Sequence, residues 1–131
     1  MFNDMVFKKI KNKRIADVSD SFNEGFKDVV GYDSRFRRHR LRGGKMFGKV
    51  NALIAEFIIS LDEDSDVVLI WSIDGKEFYR SKDLSRIDGG RFGGGLISNE
   101  GCLRQGNYRC DLIKNQQEID SIFFKIDRLG L

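Results

Sequence analysis

Apolar and polar residues alternate through most of the chain beyond residue 50. Leu53, Ala55, Phe57, Ile59 and Leu61 fall on one face at period two, as a half-buried strand requires. After the acidic turn Asp62–Asp66, Val67, Leu69, Trp71 and Ile73 form a second such face, with Val68 and Ile70 opposite. Asp74-Gly75 then supplies the two positive-φ residues of a tight hairpin turn, and Lys76–Arg80 is the returning strand. Asn107–Ile113 and Glu118–Ile126 read as a second hairpin, with Ile122, Phe124 and Ile126 pointing one way. Closer to the start, Phe22, Phe26, Val29 and Val30 recur at helical spacing. Ser21 with Glu24 fits a capping box and Gly31 a C-terminal stop, which predicts a short helix ending at Gly31.

Gly106-Asn107-Tyr108-Arg109-Cys110 resembles the F-strand signature of immunoglobulin-type domains, where a Tyr two residues before the Cys closes a corner through its hydroxyl. Trp71, 39 residues before Cys110 on a strand ending in a hairpin, is similar to the buried Trp of strand C. The resemblance covers residues 47–127 and places strand B at residues 50–61. It also implies a Cys in strand B, where this chain has Phe57, Ile58 and Ile59. The inter-sheet disulfide is therefore missing, and Cys110 is expected as a buried thiol against Trp71. The expected fold is mainly β, an immunoglobulin-like antiparallel β-sandwich over residues 47–131. Residues 1–46 are expected as a basic N-terminal extension with the short helix, packed on that domain.

Composition adds the polarity of charge. The chain has 131 residues and a formal charge of +3, a mild value that excludes little. Residues 1–45 hold 12 Lys/Arg against 6 Asp/Glu, whereas residues 46–131 hold 11 against 14. A basic front thus precedes an acidic back. No apolar run reaches the length of a membrane span. Asp4 interrupts the apolar start early and Lys8 and Lys9 follow it, so no signal peptide is evident; Cys102 and Cys110 read as free thiols. Cytoplasmic residence is the expectation.

The positive excess concentrates in Arg35-Phe36-Arg37-Arg38-His39-Arg40-Leu41-Arg42-Gly43-Gly44-Lys45, six cations in eleven residues without an acid. Guanidinium forks suit carboxylates and phosphates. Two partners follow: an acidic protein surface, including a second copy of this chain through Asp62–Asp66, or RNA or single-stranded DNA. For a nucleic acid, Phe36 and Phe92 would stack on bases, while Arg91 and the Gly-rich stretch Gly89–Gly95, read as a flexible loop, would complete a groove. The candidate binding residues are Arg35, Phe36, Arg37, Arg38, Arg40, Arg42, Lys45, Arg91 and Phe92.

Enzymatic and cofactor chemistry find little footing. Asp62, Asp64 and Asp66 match the first ligand positions of a calcium loop, but Val67 and Ile73 stand where its Gly and Glu belong. One His and two Cys make no zinc set. The glycines fit neither phosphate-loop pattern, and no nucleophile–base motif is present. The expectation is a non-enzymatic interaction or assembly module without cofactor or metal.

Overall fold

The structure, a computed structural model, describes residues 24–88, 90–99 and 101–128. These form ten strands: β1 Gly25–Tyr32, β2 Arg38–Arg40, β3 Lys45–Phe47, β4 Ala52–Ile58, β5 Val67–Ile73, β6 Lys76–Ser81, β7 Ser85–Asp88, β8 Arg91–Ile97, β9 Gly106–Lys114 and β10 Gln117–Asp127. One sheet has the order β2-β1-β4-β8-β7 and the other β3-β10-β9-β5-β6. The pairs are antiparallel except β3 with β10, which run parallel.

The predicted faces become the core. Leu53, Ala55 and Phe57 of β4 meet Leu69, Trp71, Cys110, Leu112 and Ile126 of the facing sheet, each fully buried. The turns follow the sequence. Asp74 and Gly75 lie at φ 49° and 85°, and Asn115 and Gln116 at 52° and 68°, so each hairpin turn has two positive-φ residues as the right-handed twist requires.

The arrangement is that of an immunoglobulin-like sandwich. β1, β4, β8 and β7 stand in the order of strands A, B, E and D, and β10, β9, β5 and β6 in that of G, F, C and C′. Trp71 on β5 is the register partner of Cys110 on β9. The Tyr108 hydroxyl donates to the Arg104 carbonyl and closes the corner before β9. Both cysteines are free, and burial pushes the Cys110 thiol far above its usual range.

The expected short helix is corrected. No helix occurs among the described residues: the predicted helix is strand β1 from Gly25 onward, and its first residues lie outside those described. The cause is a bulge between Phe26 and Asp28. An extra residue in a strand puts positions three apart on one side, so Phe26 and Val29 both pack on the core at a spacing that mimics a helical turn. Gly31 holds the strand close to its neighbours, because a Cβ there would come within 2.8 Å of Val50. Residue 46 lies inside β3, and β1 to β3 are strands of the two sheets.

The Gly-rich loop is likewise a strand, β8, paired on both sides by β4 and β7. Its glycines answer a packing demand: a Cβ on Gly94 would lie 2.5 Å from Leu84 and 2.8 Å from Leu69, both fully buried.

Candidate functional site

Sequence-adjacent cations stay together because of one carboxylate. β1 ends at Tyr32, and Asp33 turns the chain into β2. Asp33 accepts from the Arg35 amide (2.9 Å), the Arg37 amide (3.0 Å) and Arg37 Nε (2.9 Å), and pairs with His39 Nε2 at 3.1 Å. His39 Nδ1 lies 2.9 Å from the Phe47 carbonyl, which ties the turn to β3. The single histidine is thus committed to structure. Burial acts to raise the Asp33 pKa, but the Arg37 amide, His39, the Arg35 amide and the Arg37 charge outweigh it and hold the carboxyl well below its usual range.

That depression has a defined pH signature. The unfolded carboxyl protonates near pH ~4, while the folded one stays ionised below that. The turn's stabilisation is therefore complete above about pH 4 and fades as pH falls toward the folded value. In an NMR titration the Phe36 and Arg37 amide resonances are expected to hold steady down to about pH 3. A midpoint near pH 4 would contradict the depressed value.

Phe36 sits at the tip of this turn at φ 61° with 86% of its surface exposed. A bulky side chain in the left-handed region costs roughly 1–2 kcal/mol, and this ring gains no core packing in return. Phe36→Gly is therefore expected to raise stability by about 1 kcal/mol, read from the urea midpoint, and to weaken capture of any partner the ring touches. A loss of stability would assign the ring a folding role instead.

The remaining cations line the edge where the two sheets meet. Arg38 and Arg40 pair with Tyr32 and Val30, and Gly31 opposite His39 faces the core, so both arginines project from the outer face. Arg42 and Lys45 bond each other's backbones across the next turn, and Lys45 is the parallel partner of Lys125. Among the described residues the side chains of Arg35, Arg38, Arg40, Arg42, Lys45 and Lys125 have no acidic partner. Several cations elsewhere are paired: Arg109 with Asp111 and Glu118, Arg80 with Glu77, Lys114 with Glu24.

Two sequence candidates belong elsewhere. Phe92 is 1% exposed and stacks on Phe57 in the core, so it presents no ring to a base. Arg91 lies at the far end of β8, paired with Glu56 at 3.7 Å and separated from β2 by the intervening strands β1 and β4. The fold therefore keeps Arg35 to Lys45 together and separates them from Arg91 and Phe92.

The same end of the sandwich gathers cations that sequence order keeps apart. Lys49, Arg104, Gln105 and Arg128 line an open cavity of about 620 Å³. Arg104 reaches Asp74 at 3.4 Å. The acidic turn Asp62–Asp66 stands at the opposite end, where β4 leaves its sheet and β5 begins. Seven residues of β5 separate the two ends by roughly 20 Å at strand rise. Asp62 Oδ1 accepts there from Ser65 Oγ (3.0 Å) and the Asp64 amide (3.2 Å), an ordinary capped turn. Among the described residues no ion pair joins the run Arg35–Lys45 to this turn.

A scan of protein-family models gives no match to this chain, and neither does a search of curated proteins. Among solved structures the chain is similar to the M1 domain from titin, at a TM-score of 0.42 and 14% identity. The alignment covers 83% of this chain and 97% of that one. Among the described residues no helix is long and apolar enough to cross a membrane, and no group of three or more His, Cys, Asp or Glu is placed to hold a metal ion.

Proposed function

We propose that this chain is a non-enzymatic interaction module that docks an acidic protein surface through its basic edge. One observation carries this reading: Arg35, Arg38, Arg40, Arg42 and Lys45 are exposed and lack acidic partners among the described residues, yet stand on backbone fixed by Asp33 and by the pairing of β2 and β3. Fixed backbone lowers the ordering cost of association, and clustered like charge steers an anionic partner. Two free thiols suit a reducing compartment, the cytoplasm by expectation.

A second copy is one such partner, because the acidic turn faces away from the basic edge and contact between them joins copies head to tail. Nucleic acid is the alternative reading, favoured by the exposed Phe36 ring between Arg35 and Arg37.

One set of measurements separates the three. Fluorescence anisotropy follows binding of a labelled acidic peptide and of a labelled single-stranded oligonucleotide across a salt series, and sedimentation velocity follows the protein alone. Peptide binding that weakens with salt is the expected result. Tighter binding of the oligonucleotide would favour the nucleic-acid reading, and binding of neither by a strict monomer would remove all three.

A further inference from the structure

We infer that the cavity formed by Lys49, Arg104, Gln105 and Arg128 seats a phosphorylated side chain of the docked protein. This rests on the reading of the basic edge as a docking surface and names the chemistry of one contact within it.

The cavity is built from three segments that hydrogen bonds hold in place. The Gly48 amide donates to the Asp127 carbonyl at 3.1 Å, which sets Lys49 beside the end of β10. The Leu103 amide donates to the Val50 carbonyl at 2.7 Å and joins the Lys49 loop to the Arg104 loop. The Arg128 amide donates to Gln105 Oε1 at 3.3 Å, and Tyr108 bonds the Arg104 carbonyl. Three cationic side chains thus leave fixed backbone around one opening, and among the described residues no carboxylate lines it. Arg104 has Asp74 at 3.4 Å, with both side chains largely exposed, so an incoming anion competes with a weak surface pair. Lys49 and Arg128 have no acidic partner among the described residues.

The donor set exceeds what a carboxylate uses. Each guanidinium offers five N–H donors in a planar fork and the ammonium three. A carboxylate carries one charge on two oxygens, which a single fork satisfies. A phosphoryl group carries nearly two charges on three terminal oxygens and accepts from several cations at once. The open mouth, about 620 Å³, admits such a group on a protein segment without complete desolvation.

The test compares two labelled acidic peptides, identical except for phosphoserine or glutamate at one position, with a single-stranded oligonucleotide as a third ligand. The proteins are the natural chain, the double variant Lys49→Ala/Arg128→Ala and the control Arg35→Ala/Arg38→Ala. All four positions are exposed. The phosphoserine peptide is expected to bind the natural chain about 10-fold more tightly than the glutamate peptide, as a second charge and a third oxygen allow. Lys49→Ala/Arg128→Ala should erase that preference. Arg35→Ala/Arg38→Ala should weaken both peptides alike and keep it. Equal binding of the two peptides overturns the inference but leaves the docking reading standing; binding of neither overturns both. An oligonucleotide that outcompetes the phosphoserine peptide overturns the inference and assigns the cavity to a nucleic-acid backbone.

Discussion

Replacing Trp71 with alanine is expected to remove about 3–5 kcal/mol of folding free energy, a large share of the ~5–15 kcal/mol typical of a domain. Trp71 is fully buried in the sheet built around β9 and β10. Its loss opens a cavity against Cys110, its register partner, which the surrounding strands cannot close. It also breaks a link between the sheets. Trp71 Nε1 donates to Ser81 Oγ at 2.9 Å, and Ser81 Oγ donates to the Gly95 carbonyl on β8 at 2.6 Å. The relay therefore runs from one layer of the sandwich to the other, and Ser81 is itself 3% exposed. Trp71→Phe keeps an aromatic ring but loses the N–H, so it separates the bond, at ~1 kcal/mol, from the packing. Far-UV circular dichroism is the proper probe, because Trp71 is the only tryptophan. A melting-temperature loss of roughly 10–20 °C is expected for alanine and a much smaller one for phenylalanine. Equal losses for both variants would show that the relay, not the volume, carries the effect.

The residues of β5 and β9 explain why this part of the fold was legible in the sequence. Val67, Leu69, Trp71 and Ile73 are buried at alternate positions, and local alternation is all that strand detection needs. Asp74-Gly75 and Tyr108 act within a few residues of themselves, so their roles also show locally. β1 and β8 depended on distant partners. The bulge at Phe26 and Asp28 is a property of pairing with β4, and without it the spacing reads as a helix. Gly93 to Gly95 look like a loop because glycine is depleted in strands, yet the demand for glycine at Gly94 comes from Leu69 and Leu84, and at Gly95 from the backbone of β4.

The site divides in the same way. The run from Arg35 to Lys45 announces itself as a cluster, whereas the organising role of Asp33 is visible only once the turn is closed. An Asp that bonds backbone amides shortly after it is a familiar turn device, and Asp33 just ahead of Arg35 was the signal available. Lys49, Arg104 and Arg128 carried no such signal. Each is a solitary cation in its own segment, and only the meeting of three loops at one end joins them.

Reversing Arg35, Arg38, Arg40 and Arg42 to glutamate is expected to lower affinity for an acidic peptide about 100-fold at low salt. Exposed pairs contribute ~0.2–1 kcal/mol each, so four lost pairs account for ~1–4 kcal/mol and four new repulsions add to that. Arg37 is left in place because its guanidinium holds Asp33 at 2.9 Å, and reversing it would unmake the turn as well as the charge. The four chosen side chains have no acidic partner among the described residues, so the fold should be unchanged by circular dichroism. The difference should shrink steeply toward 1 M salt, where screening acts within ~3 Å. Arg91→Glu supplies the counterpart: it places like charge beside Glu56 at the far end of the sandwich and should leave affinity within about 2-fold while costing stability. If Arg91→Glu weakened binding as much as the fourfold reversal, net charge rather than this edge would govern association. The opposite order of effects requires a local surface, which the proposed reading places at the residues from Arg35 to Lys45.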